Sequence, residues 1–297
     1  RENLVHPGTI LHIGNWAFVL FVILLLIRLL TSPLIAHFAT AGDADTHGTA
    51  RFARSSEIAP LKKSESGLLI GRWPGNGKLL RYDGPAHLMT MAPTRSGKGV
   101  GTIIPNLLTV DRSIICIDPK GENATIADEA RLSFGPVHLL DPFGVTGKPS
   151  ATFNPMEGLD CDNIDVVEEV STLADALVFD EPGLSGDAHW NEEAKALIAG
   201  LLLYVLASQP EERRTLTTLR HMLTLSSDAF RRALDAMQAS EAVNGLIARA
   251  ANRHLGKSDR EASGVLSAAQ RHTHFLDSPR MTAVLARSDF RFGDLKA

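Results

Sequence analysis

The sequence contains little cysteine and has no strong charge of either sign. Among its 297 residues only Cys116 and Cys161 are cysteines, which excludes a disulfide scaffold and a four-cysteine zinc site. The net charge of -4 excludes a protein whose whole surface binds nucleic acid, although one basic face remains compatible with it. Hydrophobic residues at 44% and charged residues at 22% exclude a disordered or low-complexity chain. Cys116 lies in the apolar run Ser113–Ile117 and is predicted to be a small buried residue.

A long apolar stretch near the N-terminus is predicted to cross a membrane. The run Trp16–Ile27 is unbroken, and the stretch 13–38 is long enough for a hydrocarbon core of about 30 Å. Arg28 lies near one end, where its stem can reach the headgroups. We therefore predict a transmembrane segment within residues 1–38, with a buried core helix and a signal peptide as alternatives. Basic residues follow the stretch more than they precede it, so the bulk of the chain is expected in the cytoplasm. Those residues are Arg51, Arg54, Lys62 and Lys63.

The next part of the chain has the alternating pattern of an α/β domain. Residues 39–66 are polar and rich in turn formers, and they are predicted to be a linker. Within residues 67–160, two apolar runs around 74–77 predict a hairpin. Short apolar strands then alternate with helical spacing as βαβαβ, which predicts a parallel sheet with helices on its faces. The predicted strands are 86–91, 113–117 and 137–140. Pro105 falls inside the first helix and is expected to kink it.

From residue 161 to residue 276 the pattern becomes helical throughout. Apolar residues recur at helical spacing from Ile164 to Leu177, and a second, longer stripe follows. No long strand-like run interrupts this part, so we predict an all-α domain. Helix start and stop signals are present at Asp187, Pro210, Ser258 and Pro279.

A glycine-rich turn after the first predicted strand has the form of a phosphate-binding loop. It is the sequence APTRSGKGVG at Ala92–Gly101, and Lys98 precedes the helix. Backbone N–H groups of such a loop and the helix N-terminus attract phosphate, and the lysine reaches the β- and γ-phosphates. The general motif has glycine where Ala92 stands and a magnesium-binding hydroxyl where Gly99 stands. The alternative is a glycine-rich turn that binds nothing. Nearby hydroxyls are those of Thr94, Ser96 and Thr102.

An acidic residue ends the second predicted strand. Asp118 follows the apolar residues Ile114–Ile117, a position from which a carboxylate can hold a magnesium-bound water beside a phosphate-binding loop. The alternative is a turn or helix-capping aspartate, because Pro119 and Gly121 follow it. The histidines are scattered, and no metal site is predicted from them.

Several segments, in order, resemble the type IV secretion coupling proteins, the TraG-like ATPases of bacterial conjugation. The phosphate-binding loop within APTRSGKGVGTIIPNLL is close to the loop of that family, in which glycine after the lysine is usual. The other matching segments are HGTARFA at 47–53, IDPKGE at 117–122, LDPFG at 140–144, FNPM at 153–156, the helix His189–Tyr204, SGVLS at 263–267, FLDSP at 275–279 and SDF at 288–290.

The resemblance implies a membrane-anchored hexamer with a RecA-like P-loop NTPase domain, an inserted all-α domain at 161–276 and a return to the nucleotide domain at 277–297. It implies binding of ATP with Mg²⁺, and catalysis that depends on Lys98. Expected partners are single-stranded DNA in a relaxase complex or effector proteins, together with the secretion channel and the bacterial inner membrane. The implied nucleotide-binding residues are Thr94, Arg95, Ser96, Gly97, Lys98, Gly99, Val100, Gly101 and the motif residue Asp118.

The resemblance also implies that the sequence is the N-terminal portion of a longer protein. The family's Walker B strand, which ends in Asp-Glu, follows the segment matching Ser288–Phe290 and has no counterpart before Ala297. Such a portion is expected to bind nucleotide poorly and to hydrolyse it poorly. The alternative function is a non-hydrolysing membrane receptor whose all-α domain docks substrates. A small-molecule kinase explains neither the apolar N-terminal stretch nor the helical domain.

Overall fold

The computed structural model of the protein describes residues 16–32 except 17 and 30, residues 53–179 and residues 188–296. The chain divides into two compact units, 1–64 and 65–297. Several of the predicted features lie outside the described residues: much of the membrane segment, the first part of the linker, the HGTARF residues of the motif at 47–53, and the capping residue Asp187.

The described residues of the first unit include two helical stretches. Residues 18–29 are helical, and their large apolar side chains are exposed. Helix α1, Ser55–Lys63, begins after Arg54, whose backbone N–H donates to Glu57 Oε2 at 2.7 Å. Within the described part of the chain, no helix has both the length and the apolar character that crossing a bilayer requires.

The second unit begins with the predicted hairpin, which the structure confirms. Strand β1, Leu68–Arg72, pairs antiparallel with strand β2, Leu79–Tyr82. The turn is closed by the N–H of Trp73, which donates to the carbonyl of Lys78 at 2.7 Å, and Gly77 adopts a left-handed φ of 70° that favours glycine. The pairing shifts register between Leu69 and Gly71, which makes a bulge in β1.

In this structure the described residues do not form the predicted parallel sheet. The sheet that they contain is two-stranded, and the segments 86–91, 113–117 and 137–140 form no strand ladder. A parallel strand obtains its hydrogen bonds from neighbouring strands, and none of these segments pairs with another. Their apolar side chains are consequently uncovered, with Met91 84% and Ile117 85% exposed. Cys116 is also exposed, so its predicted burial is wrong for the same reason.

Short helices follow two of these extended segments. A π-helical turn, Gly99–Ile103, leads directly into helix α2, Ile104–Thr109, and helix α3 spans Glu122–Arg131. Pro105 lies in the first turn of α2, so the α-helix begins where the π-helical turn ends. Proline lacks the N–H that an α-helix continuing from Gly99 would need at this point, which is consistent with the change of helix type beside Pro105. The predicted kink stays a prediction.

The remainder of the second unit is built mainly from helices around one apolar core. Helix α5 is the longest and has side chains with 0% exposure, among them Ile198, Leu201 and Leu202. A Cβ at Gly200 would overlap that of Ala250, so this glycine permits the close approach of α5 and α8. The helices are α4 Val166–Leu177, α5 Ala188–Ser208, α6 Leu216–Leu223, α7 Ser227–Gln238, α8 Leu246–Leu255, α9 Asp259–His272 and α10 Pro279–Val284.

Most of the predicted helix boundaries in this bundle are confirmed. Helix α5 ends at Ser208, before Pro210. Ser258 caps α9 by accepting from the N–H of Glu261 at 3.3 Å, and Pro279 is the first residue of α10. Ile164 was expected in the apolar stripe of α4 but lies before that helix and is 90% exposed. Periodicity assigned it to the stripe, but the helix begins only at Val166.

Candidate phosphate-binding loop

The glycine-rich turn forms an exposed loop between an extended segment and a helix. Residues Thr94–Gly97 are exposed, and the N–H of Ser96 donates to the carbonyl of Pro93 at 3.3 Å. Gly97 has a φ of 85°, in the left-handed region that glycine adopts without a steric penalty. Arg95 also has a positive φ, 65°, which is uncommon for a residue with a Cβ. The loop therefore turns sharply through two left-handed positions.

Lys98 folds back across this loop. Its Nζ donates to the carbonyl of Ala92 at 2.6 Å and to the carbonyl of Pro93 at 2.9 Å. The ammonium group thus lies over the start of the loop, held by two neutral carbonyl oxygens and by no carboxylate in the described contacts. A phosphate group would be a stronger partner than either carbonyl, because both donor and acceptor would then be charged, whereas only the ammonium is charged now.

In the π-helical turn after Lys98, the space beside the two glycines is open. The N–H of Gly101 donates to the carbonyl of Gly97 at 2.7 Å, and the N–H of Ile104 donates to the carbonyl of Gly99. A Cβ at Gly99 or Gly101 would meet no atom within 4 Å. Crowding within the described chain therefore does not explain why position 99 lacks a hydroxyl side chain. Val100, on the same turn, is 74% exposed.

Asp118 serves as a cap in this structure. Its Oδ2 accepts from the N–H of Ala124 in the first turn of α3 at 3.0 Å, and its carbonyl accepts from the N–H of Gly121 at 3.1 Å. Of the two interpretations left open by the sequence, this geometry is that of the turn and capping aspartate. Asn123 lies on the same turn, and its Nδ2 approaches Cys116 Sγ at 3.7 Å.

Two Asp-Pro turns that are separate in the sequence pack against each other. A Cβ at Gly121, in the first turn, would lie 3.0 Å from the Cγ2 of Thr146, which follows the second turn. In that second turn Asp141 is buried and accepts from the Thr146 hydroxyl at 2.6 Å and from the Thr146 N–H at 2.8 Å. These hydrogen bonds lower the pKa of Asp141 to about 2. The IDPKGE segment thus lies against the residue that anchors the turn of the LDPFG segment.

The C-terminal segment returns to this part of the unit, beside the FNPM segment. The N–H of Phe153 donates to the carbonyl of Val284 at 2.8 Å, and the N–H of Asp289 donates to the carbonyl of Thr152 at 2.9 Å. Phe290 stacks on His138 with ring centroids 4.7 Å apart and on Phe153 at 5.5 Å. The structure therefore brings the FNPM and SDF segments into contact. The sequence had shown only their order along the chain.

One well-connected residue beside the loop was missed by sequence reasoning. Asn106 of α2 uses its side-chain amide to bond both backbone groups of Leu69 in β1, at 2.7 Å and 2.9 Å. The residue lies within the quoted loop segment, but its chemistry gave no separate signal there. At the other end of α2, Arg131 donates to the carbonyls of Leu107, Val110 and Arg112.

The described residues offer phosphate donors more readily than metal ligands. The loop has exposed backbone, a lysine and a helix N-terminus, which together suit an anion. In the described ranges no group of three or more His, Cys, Asp or Glu side chains is assembled in a way that could hold a metal ion.

Comparison with known proteins places the chain in a family. The sequence profile of the type IV secretory system conjugative DNA transfer family matches residues 45–297. A conjugal transfer protein TraG of Escherichia coli is 30% identical over 84% of this chain and 43% of its own length. The type IV secretion system-coupling protein VirD4 of Bartonella quintana is 26% identical over 74% of this chain and 36% of its own length. Protein VirD4 of Agrobacterium fabrum is 36% identical over 37% of this chain and 17% of its own length.

The matched regions span less than half of the length of each of these relatives. The profile match nevertheless covers the loop, both Asp-Pro turns and the helical bundle. The chain therefore belongs to the type IV secretory system conjugative DNA transfer family and is a relative of the TraG and VirD4 coupling proteins.

Proposed function

We propose that the whole protein to which this chain belongs is an ATP-dependent coupling protein of conjugation or type IV secretion. The loop Thr94–Gly101 binds the phosphates of ATP, with Lys98 as the residue on which catalysis depends. The observation that carries this proposal is the position of Lys98, whose ammonium group is held by two carbonyls at the mouth of an exposed glycine-rich loop. The names of the relatives, conjugal transfer protein and coupling protein, support the biological setting.

The loop contributes binding and charge stabilisation. Backbone N–H groups of the loop orient the phosphates, and Lys98 leaves the carbonyls of Ala92 and Pro93 to contact the β- and γ-phosphates, where it offsets the charge that develops during transfer. Mg²⁺ would arrive with the nucleotide and neutralise phosphate charge. We assign it no protein ligand, because Gly99 lacks a hydroxyl and the carboxylate of Asp118 already caps α3 by accepting from the N–H of Ala124.

The remaining parts of the proposed coupling protein are inferred from the same family membership. We propose that the extended segments 86–91, 113–117 and 137–140 are strands of a RecA-like parallel sheet in the assembled protein, which is supported by their exposed apolar side chains. The helical bundle docks DNA–relaxase complexes or effector proteins and passes them to the secretion channel. A homohexamer attached to the bacterial inner membrane through residues 13–38 completes the arrangement, with the bulk of the chain in the cytoplasm.

The nucleotide-binding proposal is tested with Lys98→Ala in the full-length gene product. We expect affinity for a fluorescent ATP analogue to fall about tenfold or more, since one charge-assisted contact to phosphate is lost. DNA transfer between cells should fall with it. Lys78→Ala is the matched control, because Lys78 is an exposed lysine in the hairpin turn of the same unit. Unchanged ATP affinity in Lys98→Ala would refute the proposal.

The receptor function is the second candidate. It is favoured by the capping role of Asp118, which leaves the described loop region without an assigned acidic partner for Mg²⁺. The two candidates differ in hydrolysis, because a receptor that uses nucleotide only structurally binds ATP without turning it over. Phosphate release by the full-length protein, stimulated by single-stranded DNA, would exclude the receptor.

A further inference from the structure

The side chain of Asn106 takes the place of a neighbouring strand at the edge of β1. Its Oδ1 accepts from the N–H of Leu69 at 2.7 Å, and its Nδ2 donates to the carbonyl of Leu69 at 2.9 Å. Both backbone hydrogen-bonding groups of one strand residue are therefore satisfied by one amide. Leu69 is 8% exposed, so these bonds lie at a buried position, where an unsatisfied amide group is costly.

A bulge in the hairpin lies next to this contact. The register shift in β1 falls between Leu69 and Gly71, immediately beside the residue that Asn106 binds. Bulges redirect side chains and interrupt pairing, and they are enriched near functional sites. A second link runs from the hairpin to the end of α2, since Nη2 of Arg81 lies 3.5 Å from Oγ1 of Thr109. The hairpin is thus attached to α2 at two points.

The same side chain also reaches back toward the loop. Nδ2 of Asn106 donates to the carbonyl of Thr102 at 2.8 Å, and Thr102 lies in the π-helical turn that follows Lys98. This turn contains two glycines with open space around them, and the α-helical ladder resumes only at Ile104. Short π-helical turns recur at functional sites. Asn106 therefore joins three parts: the π-helical turn, the helix α2 that follows it and the hairpin.

We propose that Asn106 is a positioning residue for the nucleotide site, and that through it the hairpin and the phosphate-binding loop respond to ATP together. The inference rests on the proposed function of the loop. It assigns Asn106 no contact with the nucleotide. Its effect is to fix the helix N-terminus and the loop N–H groups relative to β1, and displacements of about 1 Å at such groups can cost about 100-fold in rate. By linkage, ATP binding must in turn stabilise the bond between Asn106 and Leu69.

The test uses Asn106→Leu in the full-length protein, with Asn76→Ala as the matched control. Leucine has the same branched skeleton of side-chain heavy atoms as asparagine but makes no hydrogen bond. Asn76 belongs to the same hairpin and also accepts a backbone N–H, that of Lys78 at 3.1 Å, without touching α2 in the described contacts. We expect the ATP affinity of Asn106→Leu to fall about tenfold, and that of Asn76→Ala to change less than about twofold.

Hydrogen exchange of the Leu69 amide is a second measurement. It is made on the wild-type protein, so it does not depend on whether a variant folds. In the wild-type protein we expect ATP to slow the exchange of this amide, while exchange in the hairpin turn at 74–77 is unchanged. Slowed exchange together with weakened binding in Asn106→Leu supports the proposal. Unchanged ATP affinity in a folded Asn106→Leu protein, or wild-type Leu69 exchange that is insensitive to bound ATP, overturns it.

The experiment also separates failure of this inference from failure of the proposed function. If the wild-type protein binds ATP and Lys98→Ala does not, the loop is a nucleotide site, and the behaviour of Asn106→Leu then decides the positioning role alone. If the wild-type protein binds ATP no better than Lys98→Ala does, the proposed function fails and this inference is overturned with it.

Discussion

The helical bundle and the loop region of the second unit use apolar residues in opposite ways. In the bundle, side chains of α5 such as Leu201 and Val205 have 0% exposure. In the loop region, apolar residues of the extended segments lie open, with Met89 84% and Ile115 65% exposed. Both regions are rich in apolar residues, so hydrophobicity alone does not decide burial.

The difference lies in where backbone hydrogen bonds come from. A helix satisfies its own backbone groups within one segment, so a bundle is complete once its apolar stripes face each other. A parallel strand needs at least one neighbouring strand for its hydrogen bonds, and the faces of a parallel sheet are covered by helices. The bundle is therefore self-sufficient in this chain, whereas the extended segments at 86–91 and 113–117 still have unpaired edges and uncovered faces.

The largest expected effect that follows from this comparison is on stability. Leu201→Ala removes a fully buried side chain from the bundle, and we expect a loss of about 2–5 kcal/mol in the free energy of unfolding. Met89→Ala in the loop region should change it by less than about 0.5 kcal/mol, because Met89 is largely solvated already. Urea unfolding followed by far-UV circular dichroism measures both. Equal losses for the two variants would contradict the contrast.

A smaller effect is expected from acid, through an ion network within the bundle. Glu193 of α5 accepts from Nε and Nη2 of Arg253 at 3.1 Å and 2.6 Å, and it pairs with Nζ of Lys257 at 2.8 Å. These hydrogen bonds, that of Arg253 above all, lower the pKa of Glu193 to about 2, although desolvation opposes the shift. Because the folded pKa lies below the unfolded value, the stabilisation is full above about pH 4.5 and is lost as the pH falls toward about 2.

The contribution of Glu193 should be about 1–2 kcal/mol, since the partly exposed side chain of Arg253 is screened by solvent. Glu193→Gln should therefore lower stability at neutral pH and flatten its dependence on pH between about 4.5 and 2. Urea unfolding of both proteins at several pH values measures this. Parallel pH profiles for wild type and Glu193→Gln would show that the network does not stabilise the bundle. Arg231→Met, which breaks an exposed pair with Asp235, is the control.

The smallest effect is a difference in chemical accessibility without a change in stability. Cys116 is exposed on an extended segment, whereas Cys161 is half-buried. Desolvation raises the pKa of both thiols, so exposure is what distinguishes them. We expect a thiol reagent to modify Cys116 faster than Cys161 in the native chain. In the full-length protein the proposed sheet would cover Cys116 and slow its modification. Equal reactivity of Cys116 in both proteins would argue against that sheet.

Elements that are determined by neighbouring residues could be predicted from the sequence. The hairpin around 74–77 and the proline at the start of α10 were predicted because turn chemistry and fixed proline geometry act within a few residues. The helical bundle was predicted because its periodicity extends over several turns. The prediction that Ile164 belongs to the helix was wrong, because periodicity does not show where a helix begins.

The candidate site was only partly predictable. The glycine-rich pattern identified Lys98 and Gly97 as candidate site residues, and the structure gives Gly97 a left-handed φ, which glycine adopts without a steric penalty. Nothing in the pattern identified Asn106, because its partner Leu69 is distant in the sequence and an asparagine in a helix carries no specific signal. Asp118 had two possible roles in the sequence, and only the position of the α3 N-terminus distinguished them.

What the sequence by itself determined was the set of elements that close their hydrogen bonds locally: the hairpin, the helices and the sharp loop before Lys98. Only the tertiary structure decided which separate segments meet, as with Asn106 and Leu69, the two Asp-Pro turns, and Phe290 and Phe153. It also decided which apolar runs are buried. The physical reason is that burial and strand pairing are properties of neighbours, and a linear pattern does not specify the neighbours of a segment.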